Sequence, residues 1–533
     1  MAMTRRDLAK LAGGAASLAL GISRIPAALG ATAPMPRMPL DEFVQHPELV
    51  TALRKGVTAM KARKSSDPLS WFYQAAIHGV TDERVQEAAK VDPTVLQVNA
   101  AKYWNQCPHN GQNSANFLPW HRGYTYYFER ILRLHTEMDT FSLPYWNYIP
   151  PSNRKFPEVY GIQFLDGNLN NNDPANINPL WDEQRDFYFT TYQHPLTKNL
   201  PLLSLTDDAV DISKPMNCSF FFGPTEREGL GGGIADNDPS TRGLLESYPH
   251  DQIHRAVGGI IGSCAGDMAV PPTAGFDPIF SVHHTNIDWL WVQWACMPGK
   301  TWGTMPPAAW FEEQPWYFFD ETGAERNEPR RTYFDHRALG IRFKDEDPNC
   351  KPLELPQLVA SGEPPIRTAS SELKSIAQSD IRVNAPPSGR TLVALDAQLI
   401  SALPGALQAL GTRPAVADGR RRMILRLADI ELTTRTQVGF DVFVTANPQG
   451  VLRRGDRSFV GSINLFNHQH HGGMAISQAF EITEAVAQIR SEDLEQLSIV
   501  FMAYPLLQAI DTQRPYLASS PLTVRGVEFY LSA

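Results

Sequence analysis

The chain has 533 residues, 57 acidic against 48 basic, a net charge of −9 and 43% hydrophobic residues. A single core stops growing near roughly 250 to 300 residues, so this length implies two or more domains. The acidic balance and the absence of a sustained Lys/Arg run exclude a nucleic-acid surface; no internal run reaches the about eighteen apolar residues of a membrane helix.

At the N-terminus, MAMTRRDLAKLAGGAASLALG sets Arg5 and Arg6 before a short Ala/Gly/Leu run, and Ala31-Thr32-Ala33 offers a small-residue cleavage site. This order resembles a twin-arginine export signal, so residues 1–33 are set apart from the fold. The mature chain is expected to be exported, periplasmic or secreted.

From about 40 to 150 the pattern is helical: LDEFVQHPELVTALRKGVTAMKAR and YTYYFERILRLHTEMD repeat apolar residues at spacings of three and four. GNLNNNDPANINP and GLGGGIADNDP are rich in Asn, Gly and Pro and read as irregular excursions. Helical periodicity returns at 240–256 and 286–295. The unit is expected to span 34–375, with a linker through VNAPPSGR at 376–390. From 391 to 533 the chain turns to short β-branched and aromatic runs, including RRMILRLADIEL, GFDVFVTA, SFVGSINLF, LSIVFMAYPL and LTVRGVEFYL. Their alternation predicts a compact antiparallel β domain, interrupted by one helical piece in ITEAVAQIRSEDLEQL.

The chemistry rests on histidines. In PHDQIHRAVGG, His250 and His254 are four apart and share one helix face, separated by one turn. In DPIFSVHHTNIDWLW, His284 supplies a third imidazole, and Asp288 can accept an imidazole N–H behind it. Upstream, His78 in WFYQAAIHG, His109 in CPHNG and His121 in NFLPWHRGY form a second set of three. Ligation by imidazole alone suits copper or zinc. Non-haem iron oxygenases want a carboxylate, and a zinc hydrolase would show HExxH, so copper is the better fit.

These motifs resemble the tyrosinase and polyphenol oxidase family of type 3 copper proteins, in a form close to the plant-type enzymes. The resemblance extends over nearly the whole mature chain, including DTFSLPYWNYIPPS. It implies a mainly α catalytic domain, a helical bundle around a dicopper centre, followed by an antiparallel β-sandwich or barrel. It implies one copper on His78, His109 and His121 and another on His250, His254 and His284, with His283 a neighbour. It further implies oxidation of o-diphenols to o-quinones by dioxygen, with o-hydroxylation of monophenols as a second activity. An oxygen carrier of the haemocyanin kind shares such ligands and is the alternative. Phe280, Phe117 and Trp120 are apolar and near the ligands; Phe280, Arg255 and Pro271 are expected to line the site.

The odd cysteine count, at 107, 218, 264, 296 and 350, leaves one over if the rest pair. The family resemblance assigns a thioether between Cys107 and His109, because the plant-type donor position holds Asp82. It also makes Glu246 and the residue after His250 the holders of a water that deprotonates monophenols. Here that residue is Asp251, which when ionised cannot donate a hydrogen bond as Asn does. The C-terminal domain resembles the plant-type domain that docks on its own active-site mouth and keeps the enzyme latent. A small phenol is the expected partner.

Overall fold

The computed structural model describes residues 33–533 apart from 109–113, 169–170, 172, 192–201, 224–228, 234–241, 262–263, 352, 356–373, 380–388, 396–399, 402–422, 433–436, 464, 467–475, 510–521 and 532–533. The export segment, except for Ala33, lies outside the described residues, and so does His109.

Helices α1 (Pro47–Lys61), α2 (Trp71–His78), α3 (Phe117–Thr136), α4 (Asp251–Gly258) and α5 (Ile279–Cys296) frame the first half. In α1, proline at the first position fits the fixed φ of a helix start, and Leu49, Val50, Leu53, Val57 and Met60 form its buried stripe. Gly56 lets α1 lie close on α3, since a Cβ there would meet Leu132 Cδ1 at 2.7 Å. The Ser70 hydroxyl caps α2 by accepting the Tyr73 N–H at 3.0 Å. Helix α5 is apolar nearly all round and accordingly buried on nearly every side. Its start is held by Asp277, which accepts the Ile279 N–H at 2.9 Å and is gripped by Arg185 at 2.7 Å. The expected helix at 240–256 is broken at Tyr248, whose backbone is extended, so α4 begins only at Asp251. A disulfide joins Cys296, at the end of α5, to Cys350.

The second half is antiparallel. Strands β2 (Lys374–Ser379), β3 (Arg390–Ala394), β4 (Met423–Leu432), β5 (Val438–Thr445), β6 (Phe459–Ile463), β7 (Ile476–Glu481), β8 (Ser498–Pro505) and β10 (Leu522–Leu531) make two four-stranded sheets, ordered β7-β4-β10-β2 and β6-β5-β8-β3. Leu425, Leu427, Phe440, Val442, Ile499, Phe501, Val527 and Phe529 fill the core between them. Among the described residues this is the sandwich form of the expectation, not a closed barrel. The linker expected at 376–390 overlaps β2, which pairs with β10. A further pair joins the halves: β1 (Leu203–Leu205) runs antiparallel to β9 (Leu507–Ala509).

The halves also meet through side chains. Thr206 Oγ1 donates to the Pro505 carbonyl at 2.7 Å, Arg454 to the Asp208 carbonyl at 2.6 Å and Lys214 to the Val460 carbonyl at 3.1 Å. The Ser462 N–H donates to the Tyr248 hydroxyl.

Candidate metal centre

His78 ends α2 and His121 lies near the start of α3, both buried. The last carbonyls of α2 have no helical partner of their own. Those of Ala76, Ile77 and His78 accept the N–H groups of Asn105, Gln106 and Cys107, which folds the following segment back onto the site. Cys107 Sγ then sits 3.4 Å from His121 Nε2. One donor atom each of His78, Cys107 and His121 falls within 4.8 Å of the others. The third expected ligand of this set, His109, and with it the thioether to Cys107, falls outside the described residues.

Downstream, His250 and His254 project from one face with ring centroids 4.4 Å apart. His254 and His121 share a device: Nδ1 lies 2.7 Å from the Met268 carbonyl in the first and 2.8 Å from the Phe117 carbonyl in the second. An Nδ1–H spent on a carbonyl leaves the Nε2 lone pair for a ligand. That lone pair of His254 faces His284 Nε2 at 3.2 Å, an arrangement that a cation between them satisfies. Burial, helped by neighbouring imidazoles, holds His121, His254 and His284 well below the usual histidine range. Burial alone takes His78 and His283 down to about 3. At neutral pH all five are uncharged, the form that binds a metal. The His121 and His284 rings stack at 4.2 Å, so the two sets face each other.

Aromatic walls close the site. Phe280 lies 4.1 Å from His284 and 4.7 Å from His78, Phe117 4.5 Å from His121 and 4.7 Å from His250, and Trp120 4.7 Å from His121, all as ring centroids. From the second half, just after β6, Phe466 lays its fully buried ring 4.5 Å from His254 and 5.7 Å from His250.

Three expected roles change. Among the described residues Asp288 takes no imidazole N–H: its oxygens accept from Arg122 at 2.7 Å and Arg37 at 3.1 Å, two buried cations that claim its charge. Arg255 turns to the β domain and donates to the Val438 carbonyl at 2.6 Å, so it serves the interface rather than the lining. Asp251, expected to hold a water with Glu246, is bonded directly to protein groups. Its Oδ1 lies 2.8 Å from His250 Nδ1, and Arg242 bridges it to Glu246 at 2.9 Å on both sides. Pro271 contributes its backbone, a hydrogen-bond partner of His78. Burial, reinforced by the Asp251 charge and opposed by Arg242, pushes the Glu246 carboxyl up to about 8. Sequence reading passed over Arg242, though Arg242 and Glu246 stand at the helical spacing of four.

The donors are imidazoles and one thiol, with no carboxylate in either group, which fits copper. Comparisons with known proteins agree. Residues 68–296 match the common central domain of tyrosinase, and 408–505 match the chloroplastic polyphenol oxidase C-terminal domain. The chain is 27% identical over 471 residues to tyrosinase HcTyr1 of Hahella sp. (strain CCB-MM4), covering 82% of this chain and 88% of the relative. It is 25% identical over 479 residues to a chloroplastic polyphenol oxidase of Malus domestica, covering 86% and 73%. The structure of latent apple tyrosinase shares the fold, with a TM-score of 0.55 at 21% identity over 95% of this chain and 98% of that one.

Proposed function

We propose, from the premise that the chain is a copper oxidoreductase of the tyrosinase and polyphenol oxidase family, that it oxidises o-diphenols to o-quinones with dioxygen and that its own C-terminal domain keeps it latent. The observation that carries this is the stacking of His121 on His284, which turns two sets of neutral imidazoles toward one space. His78 and His121, with His109, would hold one copper; His250, His254 and His284 would hold the other. A bound copper pair supplies two-electron redox chemistry at that space. In the balance, two diphenols each give up two electrons and two protons, and one dioxygen becomes two waters.

The chain's own residues do the rest. Carbonyls of Phe117 and Met268 fix the His121 and His254 tautomers, and Asp251 holds the back of His250. Phe280 and Phe117 form apolar walls for a flat ring. With Asp251 bonded to His250 and burial favouring the neutral form of Glu246, neither carboxyl is well placed to deprotonate a monophenol. A diphenol is more acidic and needs less help, so diphenol turnover dominates. Phe466 supports latency, because it covers the face of His254 that a substrate ring would use.

The test compares the copper-loaded full chain with Phe466→Ala on a matched catechol and monophenol. Catechol turnover is expected to rise about tenfold or more in the variant, on the order of the 1.4 kcal/mol that a factor of ten represents, with the monophenol slower throughout. An unchanged catechol rate sinks the latency reading, and a monophenol rate equal to the catechol rate sinks the preference. Reversible oxygen binding without turnover in both proteins would point to a carrier.

A further inference from the structure

Away from the histidines, helix α1 and the segment 146–162 border a cavity of about 640 Å³, within the size of small-molecule sites. Trp146 and Phe156 stand in its wall, crossing edge to face with ring centroids 5.8 Å apart, and Val44 and Leu202 extend the apolar surface. The Trp146 Nε1–H is spent on the Asn153 carbonyl at 3.0 Å, which fixes the indole. Two cations join this wall, half-buried Arg54 from the middle of α1 and exposed Lys155. Buried arginines elsewhere in this half find a carboxylate, as Arg37 does Glu129, Arg122 does Asp288 and Arg185 does Asp277. Among the described residues Arg54 makes no ion pair, and its Nε is buried without a hydrogen-bond partner. Burial lowers its pKa, and the group that opposes this is the Tyr160 hydroxyl rather than a carboxylate.

We propose that this cavity is a second binding site, separate from the metal centre, for a small aromatic carboxylate. The carboxylate takes the place of the missing partner on Arg54, whose planar fork matches its two oxygens, and the flat ring lies against the apolar wall. Asp41 and Glu158 also line the cavity, but both are exposed and neither pairs with Arg54 or Lys155 among the described residues. Charges standing in water are screened more strongly than one withdrawn into the wall, so the guanidinium decides the sign of the ligand. A neutral phenol leaves that charge unanswered, and an aliphatic acid leaves the apolar wall uncovered. None of the histidines takes part, so the site stands or falls independently of the copper reading. Its rim reaches two other parts of the chain. The Trp146 N–H donates to the Val282 carbonyl at 3.0 Å, on the helix that carries His284, and the Arg154 carbonyl accepts the Leu205 N–H of β1 at 3.0 Å. A bound acid therefore sits beside both the ligand helix and the ribbon that joins the halves.

Metal-free full-length protein, in which no copper competes for the carboxylate, is titrated by calorimetry with benzoate, benzyl alcohol and acetate. Benzoate is expected to saturate one site per chain, with benzyl alcohol and acetate each about tenfold weaker or more, and Arg54→Gln should weaken benzoate by about tenfold or more. Photolysis of 4-azidobenzoate on the unaltered protein should label α1 or the segment 146–162, and excess benzoate should suppress the label. Absence of saturable benzoate binding, or equal affinity for benzyl alcohol, would overturn the proposal, as would unchanged benzoate affinity in a folded Arg54→Gln protein. Labelling confined to other segments needs no variant and would overturn it even if Arg54→Gln fails to fold.

Discussion

The downstream histidines stand on two packed helices, α4 and α5, while the upstream ones stand at helix ends joined by a returning loop. In the first case the helix repeat sets the geometry, and neighbouring groups only lock it: the Met268 carbonyl behind His254 and the Asp251 carboxylate behind His250. In the second, position depends on three successive backbone hydrogen bonds from 105–107 to the end of α2. A site on helices is specified by spacing within one segment; a site on a loop is specified by partners elsewhere in the chain. The two halves of one centre should therefore respond differently to damage.

The largest effect tests the helical half. His254→Ala is expected to lose one of two coppers per chain and to reduce oxidase activity to background, as read by metal analysis beside a catechol assay. Two coppers retained would break the assignment. Next comes acid. The folded values of His78 and His283 lie near 3, below the ordinary 6.5 that the unfolded chain would show. Stability from these rings is therefore complete above pH 6.5 and lost as pH falls toward 3, at about 1.4 kcal/mol per pH unit for each ring. Denaturant titrations of the metal-free chain across this range should be shallower in His78→Gln and in His283→Gln than in the unaltered chain, each by one ring's share. Slopes unchanged in both variants would contradict the burial argument.

A smaller effect separates the halves. Asp251→Asn should weaken copper at the downstream set about 10- to 100-fold, the usual cost of losing a carboxylate behind a ligating histidine, and leave the upstream set unchanged. Stepwise chelator competition resolves the two, and equal weakening of both would erase the contrast. The smallest is a mass difference. Copper-matured protein should be lighter by two hydrogens through the thioether between Cys107 and His109, and Cys107→Ser should not be; alkylation of Cys107 as a thiol in mature protein would refute the bond.

The same contrast governs what could be read in advance. His250 and His254 were legible because their spacing lies within one helix, and the strands β4, β5, β8 and β10 because each carries its own apolar or alternating run. Asp288 was misjudged because Arg37 and Arg122, which claim it, come from distant segments. Phe466 carried no local signal at all: it meets His254 only because the β domain is docked. The start of the β region was set too late because β2, KSIAQS, is an edge strand paired on one side, with few apolar residues to mark it.

The pairing of β1 with β9 bears on how the proposed latency would be relieved. It is a backbone contact between the halves, independent of the covalent connection between them. While the chain is intact, a detached β domain would return as a tethered partner and not as a free one. Proteolysis between the halves is expected to leave the ribbon paired and Phe466 in place and to abolish only the covalent link, so that re-docking would become bimolecular. On the proposed latency, cleavage and dilution would act in series, and a nicked enzyme kept concentrated is expected to stay silent until it is diluted below the affinity of its own severed domain.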